Sequence, residues 1–215
     1  MLQKQVVSVE LLNLLYELQK EHLLINHALA GGTALALQLG HRTSTDIDLF
    51  SYKEQNNKMI LNMFNNKFKY YELVYIDKSA LQIIVRNIKI DILSTNVNTI
   101  DDPKIEDGIR YFGMKDIAAM KLRAVLYRMK PRDYIDIAYL LNEFKLEAMF
   151  EYYKNKYNEQ DLTMLKIKLL ACKDFRINDW GEEIAMLKND IKLKDIPKIL
   201  ESEVKNYNKK YKIGK

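Results

Sequence analysis

The sequence predicts an α+β fold, a mixed sheet flanked by helices and followed by a C-terminal helical region. Three observations carry that expectation. Apolar residues alternate through residues 70–93, the period of strands that turn every second side chain to one core. The paired glycines Gly31-Gly32 separate a short apolar run from an apolar helix. After the polar stretch 95–103 no strand pattern recurs and the apolar residues fall at helical spacing. The division predicted is an α/β core with its N-terminal helix over 1–100, then a helical region over 101–215.

Taken in order, Ser8 is a good N-cap for a helix over 9–22 with Leu11, Leu14, Leu15 and Leu18 on one face. Residues 24–30 read as a short strand, after which Thr33 is expected to cap a helix ending at Gly40. An apolar strand containing Asp46 and Asp48 comes next, then a covering helix within 52–68 marked by Met59, Ile60, Met63 and Phe64. The runs 70–76, 80–86 and 88–93 are joined by very short connections, which predicts an antiparallel meander. A helix over 115–130 stops before Pro131, which opens another to about residue 143, because proline is tolerated in a first turn. Further helices are expected at 146–156, 161–172, 182–190 and 196–206.

The composition is that of an ordinary globular protein, with 48% hydrophobic and 29% charged residues in 215. Cys172 is the one cysteine and His22, His27 and His41 are scattered, which excludes an internal disulfide and a zinc-type cluster. There is no basic leader with an apolar run and no long apolar stretch, so a cytoplasmic protein outside the membrane is expected. The net charge is +5, and residues 194–215 hold seven lysines against three acids. This basic tail is either a solvated end or a contact for a nucleic-acid backbone.

Asp46 and Asp48 share one face of their strand, about 6 to 7 Å apart, while Ile47 and Leu49 face the core. In 88–93, Ile88, Ile90 and Ile92 take one face and Asp91 the other. Were the two strands neighbours, the three carboxylates would form a hard, all-oxygen site suited to Mg²⁺, with Mn²⁺ an alternative. Such ions serve in-line phosphoryl displacement. Alone, an Asp-x-Asp could equally sit solvated at a strand end. Upstream, Gly31 and Gly32 let the backbone approach a phosphate, and the following amides with the Thr33 hydroxyl make an anion site.

Together these residues resemble a known pattern. Gly31-Gly32-Thr33, twelve residues, then Asp46-Ile47-Asp48 is similar to the Gly-Ser and Asp-x-Asp signature of the DNA polymerase β-like nucleotidyltransferase superfamily. The fuller string GGTALALQLGHRTSTDIDLF resembles the AbiEii/AbiGii toxin family of bacterial abortive-infection and type IV toxin–antitoxin systems. MKDIAAMKLRAVLYRMKPRDYIDIAYLL (114–141) resembles that family's later motif. There Lys121 and Arg128 lie two turns apart on one helix face, where they could meet a triphosphate or solvent. Asp133 and Asp136 share a face near a helix start and could cap it, pair with Lys121 or Arg128, or touch substrate. Thr33 stands where the superfamily usually has serine, and Pro131-Arg132 replaces a lysine-rich run.

The resemblance implies a polymerase β-like core and a Mg²⁺-dependent transfer of a nucleotide from an NTP. Asp46 and Asp48 would bind metal, with Asp91 as third ligand and general base. Gly31, Gly32 and Thr33 would hold phosphates, and Arg42, Lys121 and Arg128 would neutralise charge, with Asp133 and Asp136 nearby. It also implies a cognate antitoxin, acting directly or only by opposing the effect, and a tRNA or other RNA acceptor. An antibiotic nucleotidyltransferase and a nucleotide-binding module without transfer activity share the same elements.

Overall fold

The computed structural model describes residues 1–95, 97–176, 180 and 185–212. The chain forms two compact units, Met1–Gly113 and Met114–Lys215. In the first, α1 (Val9–Gln19) begins where the Ser8 hydroxyl accepts a hydrogen bond from the Leu11 amide, and it buries Leu11, Leu14, Leu15 and Leu18. β1 (Ala28–Leu29) leads into α2 (Gly31–Leu39), which ends at Gly40 with φ 67°, a left-handed turn that costs glycine no Cβ clash. Residues Thr33 through Leu37 are all buried, so α2 is a core helix. β2 (Ile47–Ser51), α3 (Asn57–Lys67), β3 (Glu72–Ile76), β4 (Ala80–Val85) and β5 (Ile88–Ser94) follow.

The sheet is seven-stranded and mixed, in the order β3-β4-β5-β2-β1-β7-β6, where β6 is Lys104–Glu106 and β7 is Ile109–Tyr111. β3, β4 and β5 form the expected antiparallel meander. β2 lies parallel to β5, β1 is antiparallel to β2, and β7 is parallel to β1.

The β6–β7 hairpin corrects the expectation that everything after residue 103 is helical. Its strands are three residues each, too short to display a period. The turn, however, is Asp107-Gly108 with φ of 52° and 79°, an Asp-Gly hairpin turn that the sequence carries openly. From β7, Arg110 donates to the carbonyls of Gln19 (2.9 Å) and Leu24 (3.2 Å), tying the end of α1 to the sheet. The covering helix also starts later than Tyr52. Asn56 caps it by accepting from the Met59 amide, and Gln55 before it is spent on His27 Nε2 (2.7 Å), Asn57 Oδ1 (2.7 Å) and the Ile92 carbonyl (3.2 Å).

The second unit holds α4 (Met114–Arg128), α5 (Pro131–Leu140), α6 (Leu146–Tyr157), α7 (Thr163–Leu170) and α8 (Ile196–Lys210). α4 packs against α5, α6 and α7, and α8 closes on α5, α6 and α7. Of the helix expected at 182–190, residues 182–184 lie outside the described residues and 185–190 are not helical. There the Lys188 carbonyl accepts a hydrogen bond from the Tyr139 hydroxyl at 3.0 Å. Among the described residues of this unit, two ion-paired groups are sealed. Lys156 meets Asp116 at 2.6 Å, and Lys121 meets Asp133 at 3.0 Å and Asp136 at 2.6 Å, with the carboxylates at 0% exposure. Among the described residues no helix is long and apolar enough to cross a membrane.

Removing one of the two carboxylates leaves the buried Lys121 ammonium with only Asp133, which Arg128 also shares, so Asp136→Ala is expected to cost about 3 kcal/mol, read by denaturant unfolding. In the first unit, burial lowers the His27 pKa from the ordinary 6.5; the Gln55 hydrogen bond opposes this and the Arg110 charge adds to it. The unfolded chain therefore binds a proton first as pH falls. The His27 contribution is complete above pH 6.5 and lost as pH falls through the folded-state pKa. Thermal melts between pH 7.5 and pH 5 are expected to show a steeper decline for the native chain than for His27→Gln.

Candidate active site

β2 and β5 bring the acidic residues together through their register. Ile47 pairs with Ile90, Asp48 with Asp91 and Leu49 with Ile92, so the apolar side chains share the buried face and Asp48 and Asp91 stand side by side on the other. On β4, Gln82 is the register partner of Asp91, and its side-chain amide donates to Asp91 Oδ1 at 2.5 Å. One row thus runs across three strands. Asp46 precedes β2, and its main chain is pinned: the Thr33 hydroxyl donates to the Asp46 carbonyl at 2.5 Å and lies 2.8 Å from Ser44 Oγ.

Gly31 completes the row on the other side. The Ala30 amide donates to the Asp48 carbonyl at 2.8 Å, and a Cβ placed on Gly31, whose φ is 65°, would fall 2.0 Å from Asp48 Oδ2. Asp48 therefore lies directly against the first residue of α2. The first amides of a helix have no partner within it and carry its positive end, so the Gly31-Gly32-Thr33 backbone offers an anion seat beside the carboxylates.

Ala30, and not Thr33, is the N-cap of α2. Thr33 is inside the helix and 1% exposed, and its hydroxyl positions Asp46. Arg42 is buried and donates to the Thr43 carbonyl at 2.9 Å. Lys121, Arg128, Asp133 and Asp136 fall in the helical unit. Lys121 is sealed between Asp133 and Asp136, whereas Arg128, with 46% of its side chain exposed, forks onto Asp133 through Nε and Nη2 at 2.8 Å each. Asp133 accordingly titrates below its usual value. Burial acts to raise it, and the Lys121 charge with the Arg128 hydrogen bond and charge outweigh that.

Sequence reasoning missed Lys89. It sits two residues before Asp91 on the same face of β5, and its ammonium is 2.9 Å from Asp91 Oδ2 and 3.9 Å from Asp46 Oδ2. Partial burial alone would lower its pKa, but the Asp91 hydrogen bond and the charges of Asp91, Asp46 and Asp48 outweigh this and hold it above 10.5. The signal was present, since a period-two reading that places Asp91 outward places Lys89 beside it.

The family described as nucleotidyl transferase AbiEii toxin, type IV TA system, matches residues 13–202. The chain belongs to the AbiEii family. It is similar to uncharacterized protein aq_aa25 of Aquifex aeolicus (strain VF5), 28% identical over 153 residues that cover 69% of this chain and 74% of that protein. JHP933 from Helicobacter pylori shares the fold with a TM-score of 0.56 at 19% identity, over 95% of this chain and 94% of that one. A second H. pylori structure, described as a candidate nucleotidyltransferase, has a TM-score of 0.57 at 20% identity, over 94% and 96% of the two chains.

An AbiEii protein is a nucleotidyltransferase toxin, which implies an NTP substrate and an antitoxin, and nucleotidyltransferases of this kind generally use divalent metals. The donor chemistry here fits such an ion, because Asp46, Asp48 and Asp91 supply hard oxygens around one cationic group, the Lys89 ammonium. The carboxylates as placed do not themselves close on a metal: among the described residues no three acidic, histidine or cysteine side chains stand in metal-holding proximity. Gly31→Ala is expected to push Asp48 out of this row. Displacement on the scale of 1 Å costs about 10²-fold in rate, to be measured as nucleotide transfer, with a thermal melt to separate misplacement from unfolding.

Proposed function

We propose that this AbiEii protein is a Mg²⁺-dependent toxin that transfers a nucleoside monophosphate from an NTP to an acceptor of the RNA class, tRNA or another RNA, and that Mn²⁺ can replace Mg²⁺. The observation that supports it most is the Asp48–Asp91 register between parallel strands, beside the start of α2 where Gly31 meets Asp48. Asp46, Asp48 and Asp91 would hold the metal, which when bound supplies charge neutralisation at the phosphates. The Gly31, Gly32 and Thr33 amides at the head of α2 bind the departing phosphates. Arg42, buried beyond the end of α2, adds positive charge, and Thr33 keeps Asp46 in line.

Asp91 accepts the proton of the acceptor hydroxyl, and Gln82, which donates to its other oxygen, holds it in orientation. The hydroxyl oxygen bonds the α-phosphorus as the bond to pyrophosphate breaks. In the helical unit Arg128 keeps an exposed edge, and Lys121, Asp133 and Asp136 build its seat. The basic C-terminal segment is compatible with an RNA acceptor: lysines outnumber acids seven to three over 194–215, although in α8 Lys205 and Lys210 are paired with Glu201 and Glu147. The antitoxin opposes this activity in the cell.

The test is incubation with each labelled NTP, Mg²⁺ and total RNA. Label should enter RNA and pyrophosphate should appear. Asp48→Asn is expected to lower transfer by about 10³-fold, the scale of several kcal/mol of lost charge stabilisation, and to relieve growth inhibition on expression. Label on aminoglycosides instead of RNA, or NTP binding without pyrophosphate release, would sink the proposal.

A further inference from the structure

Lys89 is the feature that a carboxylate site for a divalent cation does not account for. It stands among the three acids, on their face of the sheet, with its ammonium 2.9 Å from Asp91 and 3.9 Å from Asp46. Its position is set by β5 itself, since Lys89 and Asp91 are alternate residues of one strand and Lys89 pairs with Ile84 on β4. The side chain is 35% exposed, against 24% for Asp46 and 17% for Asp91, so it reaches the acids from the solvent side. An ammonium and a divalent ion cannot both lie between the same oxygens, and a positive charge held a few ångströms away repels an incoming one.

We infer that Lys89 is a built-in counter-ion of this site, neutralising Asp46 and Asp91 while no metal is bound and competing with the divalent cation for them. This rests on the metal-binding reading of Asp46, Asp48 and Asp91 and deepens it. It follows that metal affinity without nucleotide is low by construction, and that filling the site requires the ammonium to leave Asp46 and Asp91.

The experiment is Mn²⁺ binding to the full chain without nucleotide, followed by loss of the free-ion paramagnetic signal. Lys89→Met, similar in length but uncharged, is expected to tighten Mn²⁺ binding by about tenfold or more, and Lys89→Gln to act in the same direction. Lys89→Arg, which keeps the charge, should stay within about threefold of the native chain, a difference well under one decade of affinity. Asp48→Asn in the Lys89→Met background should remove the binding. If the neutral variants bind Mn²⁺ no more tightly than the native chain while Asp48→Asn still abolishes binding, the counter-ion inference is overturned and the metal site stands. If neither the native chain nor any folded Lys89 variant binds Mn²⁺, both fall. A thermal melt of each variant shows which are folded, and one folded neutral variant decides the matter.

Discussion

The contact between Asp48 and the first residue of α2 is the constraint on which the site depends. Asp48 is fixed on both flanks by backbone pairing: the Ala30 amide donates to its carbonyl on one side, and β5 lies in register on the other. Its carboxylate then occupies the space that any side chain at residue 31 would need. Glycine at φ 65° is what allows strand, turn and helix to meet this closely. Once they do, an anion-seeking helix terminus and a cation-seeking carboxylate row are neighbours by construction.

Charge is handled in two ways in this chain, and the contrast separates chemistry from scaffolding. In the helical unit, Lys121 with Asp133 and Asp136, and Lys156 with Asp116, sit at 4% side-chain exposure or less. Such sealed groups hold geometry, since exchanging a partner would strand a buried charge. On the sheet, Asp46, Asp91 and Lys89 keep between 17% and 35% of their side chains open. Their electrostatics are softened by water. Arg128 belongs to both kinds, anchored on buried Asp133 and exposed at its outer edge.

Much of this was legible in the sequence where the period of the structure is the period of the pattern. The meander over residues 70–93, the split faces of β2 and β5, and α2 between Gly31 and Gly40 all follow from alternation and glycine placement. The β6–β7 hairpin escaped because three-residue strands give no period, although Asp107-Gly108 marked its turn. Lys89 escaped because its pairing with Asp46 depends on two segments distant in the chain, although its place beside Asp91 follows from alternation along β5. The position of Thr33 suggests a cap, whereas the helix begins a turn earlier and the hydroxyl bonds to the Asp46 carbonyl across the loop.

By itself the sequence determined which residues carry charge on an otherwise apolar strand, where glycine permits a tight turn, and which family motif those residues compose. These are local properties, written in side-chain type and spacing. Only the tertiary structure decided that β2 and β5 are parallel neighbours with Asp48 opposite Asp91, that Lys89 stands between the acids, and that Lys121 is enclosed while Arg128 is not. The physical reason is that strand pairing and burial are relations between segments far apart in the chain. No local period encodes them, and they are settled when the sheet and the helical packing each close on their own apolar faces.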